Sequence, residues 1–200
     1  MKSLLLGTRN PRKVIEIESI LADSGWSFSS LQEFPEVEVA EENGVTYAEN
    51  AIAKARFYAL ATGLCALADD SGLEVEALAG APGVYSARYA GANASDADRR
   101  TLLLSELGKI PDASRRARFV ASVAISDAKG SVLNVSEGIC RGTIIFSPRG
   151  DGGFGYDPLF VPDGYNQTFA ELSDEIKNRI SHRARALIQT RAFLTSHESC

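Results

Sequence analysis

Lys2-Ser3-Leu4-Leu5-Leu6-Gly7-Thr8-Arg9-Asn10-Pro11-Arg12-Lys13 is the stretch that decides the fold. The run from Lys2 to Leu6 reads as a short buried strand, and Gly7 to Asn10 as the turn that ends it. Asn10 suits an N-cap. Pro11 suits the first helical position, where a missing N–H costs nothing. Val14, Ile17 and Leu21 follow at helical spacing, and Gly25 can end the helix. The chain therefore opens strand–loop–helix, the start of an α/β architecture.

Outward from there the pattern continues. Trp26 to Val39 reads as extended. Thr46-Tyr47-Ala48-Glu49 matches a capping box, opening an alanine-rich helix through Lys54 to Ala61. Leu64 to Ala68 reads as a short strand ending in a turn at Asp69-Asp70-Ser71-Gly72, and Gly80 to Gly83 as a turn. Ser95 caps a helix from Asp96 to about Leu107. Arg118–Ser126, Ser131–Ser136 and Ile139–Phe146 read as antiparallel strands, the first two joined by a hairpin turn at 127–130. A glycine-rich loop over 149–158 leads to a strand at Leu159–Val161, and the end is helical. Ser181 reads as the cap of a last helix carrying Ala184, Leu187, Ile188, Arg191 and Leu194. With no internal repeat or low-complexity linker, the expectation is one α/β domain over residues 1–200 with a mixed sheet flanked by helices.

Composition bounds the function. The 200 residues are 44% hydrophobic and 24% charged, so a folded core is expected. Lys plus Arg number 21 against 26 Asp plus Glu, a net charge of -5. An acidic chain without a basic block is a poor general nucleic-acid binder, but placed cations can still serve a small phosphorylated ligand. Cys65, Cys140 and Cys200 are far apart and form no CxxC pair, which argues against a disulfide framework and a thiolate zinc site. The three leucines of the N-terminal strand are too few for a signal peptide or a membrane helix. A cytoplasmic protein with no membrane partner is expected.

Five stretches could carry chemistry. Thr8, Arg9, Asn10, Pro11, Arg12 and Lys13 place a helix start and a lysine where an anion is favoured, though the same residues serve an ordinary capped helix. No GxxxxGK[ST] is present, so a Walker loop is not supported. Asp69 and Asp70 follow an apolar strand, and alternation along extended backbone gives them opposite faces and different roles; an Asx-turn is the competing reading. Glu41 and Glu42, beside Glu36 and Glu38, are hard oxygen donors suited to Mg²⁺, or a solvated acidic stretch. Gly152-Gly153-Phe154-Gly155-Tyr156-Asp157-Pro158 lets backbone approach a ligand closely and puts Phe154 where its ring could stack on a base or plug the core. His182 and Arg183 fall in the first turn of the last helix. That is an unfavourable place for cations unless an anion or polar ligand is present.

In combination these residues describe a nucleoside phosphate with a divalent metal, and the chain resembles the inosine triphosphate pyrophosphatase family. The resemblance rests on Thr8-x-Asn10-x-x-Lys13, Glu41-Glu42-x-Gly44-x-Thr46-x-x-Glu49-Asn50-Ala51 and Ala68-Asp69-Asp70-Ser71-Gly72-Leu73. It rests also on Ala81 to Tyr89, Gly152 to Pro158 and Ser181-His182-Arg183, in order over about residues 3 to 194. Arg9 departs from the glycine usual in that family. The resemblance implies an elongated two-lobed α/β fold with the active-site cleft between the lobes, a homodimer, and hydrolysis of dITP, ITP and XTP to monophosphate and pyrophosphate with Mg²⁺. It implies Asp70 as proton acceptor or metal ligand, with Glu41 or Glu42, and Asp69, as further metal candidates. Residues 8–13, Lys54 and Lys177 would hold phosphates with Ser71 beside them. Phe154, Gly155, Tyr156, Asp157, His182 and Arg183 would line the base pocket. A Maf-like pyrophosphatase and a nucleotide sensor without turnover are the competing readings; Phe154 and scattered arginines are all that favour nucleic-acid binding.

Overall fold

The computed structural model describes residues 2–197. Six strands, β1 (Ser3–Leu6), β2 (Ser27–Ser30), β3 (Ala66–Val75), β4 (Arg116–Ser126), β5 (Val132–Ile144) and β6 (Phe160–Pro162), form one mixed sheet in the order β2-β1-β3-β4-β5-β6. β1 is parallel to β2 and β3, and β5 is antiparallel to β6. The helices are α1 (Pro11–Leu21), α2 (Tyr47–Thr62), α3 (Asp96–Gly108), α4 (Asp174–Ile180) and α5 (His182–Ser196).

The chain divides into two compact units. The first comprises 1–70, 121–138 and 182–200, the second 71–120 and 139–181; β3, β4 and β5 each contribute residues to both. Each unit has its own apolar core. In the first, Leu4, Leu6, Ile17, Leu21, Trp26, Leu67, Val123, Leu187 and Leu194 are buried together, and the Trp26 indole N–H donates to the Leu194 carbonyl at 3.0 Å. In the second, Leu73, Leu103, Phe119, Phe160 and Phe169 are buried together, with Phe119 edge-on to Phe160 at 4.8 Å.

The opening motif forms as read. The Asn10 side chain accepts from the Arg12 N–H at 3.0 Å, Pro11 is the first residue of α1, and Gly25 takes the left-handed conformation at φ 78°. Thr46 and Ser95 cap α2 and α3. Four expectations need correction. β3 does not end at Asp69 but runs ten residues through Asp69, Asp70, Ser71 and Gly72, because ion pairs and hydrogen bonds satisfy the carboxylates without a turn. The two short strands expected between Ser131 and Phe146 are one strand, β5, ending at Ile144. Only Ser27–Ser30 of the expected extended segment is a strand; a 3-10 turn follows at Leu31–Glu33, closed by a Ser30–Glu33 capping box. Cys140 is a buried free thiol, but Cys65 is disulfide-bonded, so the expectation against disulfide pairing does not hold at Cys65. Among the described residues no helix is long and apolar enough to cross a membrane.

Candidate functional site

The first unit gathers charge around the middle of β3. Asp69 and Asp70 are both buried, and strand alternation turns them to different partners. Asp69 accepts from Lys13 Nζ at 3.1 Å and from Arg183 Nε at 3.0 Å. Arg183 Nη1 continues to Glu16 at 2.5 Å. Burial alone would raise the Asp69 pKa, but Lys13 and Arg183 outweigh it and hold the carboxyl far below the usual aspartate value. Burial lowers the Lys13 pKa despite Asp69, with Arg183 and Lys54 acting in the same direction as burial.

Asp70 has a different setting. Its Oδ2 accepts from the Asn50 amide at 2.9 Å, and its Oδ1 lies 3.5 Å from Lys54 Nζ. Lys54 also reaches Glu42 Oε1 at 2.5 Å. Burial raises the Asp70 pKa; Lys54 and Asn50 oppose it, and the nearby Glu42 charge adds to the rise. Lys54 is pushed up overall, because Asp70, Asp69 and Glu42 outweigh its burial. The two adjacent aspartates are thus separated chemically: one is locked ionised between two cations, the other is a basic carboxylate beside a second acid.

The glutamate pair also separates. Glu41 is exposed and accepts from the Asn43 amide at 2.7 Å, whereas Glu42 turns to Lys54. Asn50 braces this segment by accepting from the Gly44 N–H at 2.8 Å while donating to Asp70. Asp70 and Glu42 are hard oxygen donors. Two carboxylates suit Mg²⁺, which completes its shell with water and phosphate oxygens. Among the described residues no cluster of three or more His, Cys, Asp or Glu stands ready as a closed metal cage.

Around the helix start, Thr8 Oγ1 accepts from the Asn10 N–H at 3.2 Å, and the Arg12 side chain is exposed. Arg9 has a local explanation: its guanidinium donates to the Val37 carbonyl at 2.5 Å, tying the turn to the segment that leads to Glu41 and Glu42. His182 is buried at the start of α5, with Ser181 as the break between α4 and α5.

The second unit holds the glycine-rich loop. Gly153 sits at φ 65°, and a Cβ there would lie 2.1 Å from Asp157 Oδ2, so this position requires glycine. Asp157 Oδ2 accepts from the Phe154 N–H at 3.0 Å and from Lys177 Nζ at 2.8 Å. Lys177 Nζ also lies 5.0 Å from the centre of the Phe154 ring. Lys177, expected among the phosphate ligands, is thus placed with the loop. Tyr156 is buried, and its hydroxyl donates to the Ser86 carbonyl at 3.1 Å. Ser71 follows Asp70 on β3 and is half-buried.

The structure therefore brings the expected residues into two sets. Lys13, Lys54, Asp69, Asp70, Glu42 and Arg183 form the charged set of the first unit. Phe154 to Asp157 and Lys177 form the loop set of the second. Sequence reading missed the bracing groups. Glu16 lies three residues after Lys13 on the same helix, but its bracing partner is Arg183, 167 residues away, so helix spacing does not point to its role. Asn50 stood inside a quoted motif without a role. Asp96 and Arg100, which touch the loop, carried no signal.

The model of the Ham1 family matches residues 4–193. A dITP/XTP pyrophosphatase of Desulforamulus reducens is 50% identical over 184 residues, covering 92% of this chain and 91% of that protein. One of Geobacter sulfurreducens is 50% identical over 197 residues, covering 98% and 96%. The solved structure of a HAM1 protein from Coxiella burnetii superposes with a TM-score of 0.90 at 43% identity, covering 98% of this chain and all of that one.

Proposed function

We propose, from the premise that this chain belongs to the Ham1 family, that it hydrolyses deaminated purine nucleoside triphosphates (dITP, ITP and XTP) to the monophosphate and pyrophosphate. The observation that carries the reading is the divergence of Asp69 and Asp70 on β3, which supplies one fixed counter-charge and one basic carboxylate. Lys13 and Lys54, with Thr8 to Arg12 and Ser71, bind and neutralise the triphosphate. Asp69 holds Lys13 in place, and with Lys13 on one oxygen and Arg183 on the other it is proposed as the counter-charge, with Asp70 the better placed metal ligand. Asp70 and Glu42 would hold a divalent ion, read here as Mg²⁺, which when bound adds positive charge against the phosphate oxygens. Asp70 orients the attacking water and accepts its proton. The water oxygen bonds to phosphorus as the α–β anhydride P–O bond breaks, and pyrophosphate leaves. Fixed positive charge at the place where negative charge develops is the largest catalytic contribution expected.

Base choice falls to Phe154, Gly155, Tyr156 and Asp157 of the second unit. Stacking on the Phe154 ring tolerates any base, so discrimination comes from hydrogen bonds. A donor aimed at the six-position oxygen of hypoxanthine or xanthine is left unpaired by the amino group of adenine, which costs adenine nucleotides binding. The same reading carries a homodimer in the cytoplasm, checked by light scattering on the purified protein. The test of activity is turnover and product identity with dITP, XTP, dATP and dGTP plus Mg²⁺. Pyrophosphate from dITP and XTP, with dATP slower by about tenfold or more, as expected for a lost buried hydrogen bond, is the outcome this reading requires.

A further inference from the structure

The loop that carries Phe154 is not left to its own glycines. Gly155 sits at φ 61°, and both polar groups of its backbone are taken by side chains from the first turns of α3. Its N–H donates to Asp96 Oδ2 at 2.7 Å, and its carbonyl accepts from Arg100 Nη1 at 2.8 Å. Asp96 and Arg100 are four residues apart, one helical turn, so they present an acceptor and a donor from a single face of one rigid element. The grip is itself anchored. Arg99 donates to Asp96 and also, at 2.8 Å each, to the carbonyls of Ala87 and Ala94. Ser86, next to Ala87, accepts the Tyr156 hydroxyl through its carbonyl, and its own hydroxyl accepts from the Leu73 N–H at 2.9 Å. A closed circuit of hydrogen bonds therefore runs from α3 through residues 86–87 to Tyr156, along the loop to Gly155 and back to α3.

We infer that Asp96 and Arg100 are positioning residues for base recognition: they pin the Gly155 peptide and so fix the aim of the Phe154 ring and the neighbouring backbone groups. The inference rests on the reading that this loop carries the base. The physical reason is entropic. A loop with three glycines in four positions would lose much conformational freedom on binding, and a loop held beforehand avoids that loss. The grip touches neither Asp70 nor the lysines of the first unit, so it should act on binding and not on the chemical step.

The test is steady-state kinetics of the full-length protein on dITP with Mg²⁺. Arg100→Ala and Asp96→Ala are each expected to raise KM about three- to tenfold, the net worth of one hydrogen bond, with kcat within about twofold. Arg100→Lys and Asp96→Asn keep a donor and an acceptor, and should recover most of the loss; Arg100→Met, which keeps bulk without a donor, replaces Arg100→Ala if that variant fails to fold. An unchanged KM, or a fall in kcat with no rise in KM, overturns the inference. Phe154→Ala separates it from the reading beneath it. If Phe154→Ala leaves KM for dITP unchanged, the loop does not carry the base and both fall. If Phe154→Ala raises KM and the Arg100 and Asp96 variants do not, the grip alone falls.

Discussion

In the first unit, side-chain charges hold one another: Lys13 and Arg183 meet on Asp69, Arg183 continues to Glu16, and Lys54 spans Glu42 and Asp70. In the second, side chains hold backbone. Asp157 takes the Phe154 N–H, Asp96 and Arg100 take the Gly155 peptide, and Tyr156 reaches the Ser86 carbonyl. The contrast suits the two tasks proposed for these sets. Binding triphosphate and activating water need charges whose protonation is fixed by burial and by partners. Presenting an aromatic ring and peptide groups to a base needs geometry more than charge, and glycine-rich backbone supplies it once pinned. Substitutions in the first unit should therefore change turnover or stability, and those in the second should change KM.

The largest expected break is Asp70→Asn. It keeps the shape and a hydrogen-bonding oxygen but loses the base, and kcat for dITP should fall about 100- to 10,000-fold. Binding of dITP, followed by calorimetry, should change little. Asp69→Asn should behave differently although it is the next residue. It leaves Lys13 and Arg183 without their shared buried counter-charge, and breaking such a pair costs about 3–5 kcal/mol of folding stability. Urea unfolding reads that loss; a drop in kcat with unchanged stability would reverse the assignment of the two aspartates. Next in size, Glu42→Gln should lower Mg²⁺-dependent turnover about tenfold or more, while Glu41→Gln, exposed and paired with Asn43, should stay near wild type. Mg²⁺ titrations of both variants decide it.

The smallest expected effect is in the second unit and concerns pH. Burial would raise the Asp96 carboxyl, but hydrogen bonds from Arg99 and the Gly155 N–H outweigh it and hold the pKa below the ordinary 3.8. A carboxyl more acidic folded than unfolded contributes stability that is present above 3.8 and lost as pH falls below it, toward the folded value. The stability difference between wild type and Asp96→Asn should therefore shrink on acidification below that value. A difference that grows as pH falls would contradict the grip on Gly155.

How far this was legible in the sequence differs element by element. β1, the Asn10–Pro11 helix start and the break at Ser181 could be read, because capping and proline chemistry are local. The end of β3 could not. Asp69-Asp70-Ser71-Gly72 has the composition of a turn, and only Lys13, Asn50, Lys54 and Arg183, drawn from distant parts of the chain, make it strand. Strand alternation predicts that the two aspartates part company, but which one meets Lys13 and Arg183 and which meets Asn50 and Lys54 depends on distant partners. The choice between Glu41 and Glu42 was closed for the same reason. Asp96 and Arg100 were invisible because they act on a peptide group 55 and more residues away, and a backbone partner leaves no pattern in side-chain spacing.

On the proposed reading the first unit performs the hydrolysis and the second chooses the base. The most direct measurement compares kcat and KM for dITP and dATP, with product identified, in wild type, Asp70→Asn and Phe154→Ala. Pyrophosphate as product and a preference for dITP are expected of the wild type. A collapse of kcat without a matching rise in KM is expected for Asp70→Asn, and a raised KM with retained kcat for Phe154→Ala. Orthophosphate as product, equal rates on the two nucleotides, or a Phe154→Ala variant that loses kcat and keeps KM would contradict that reading.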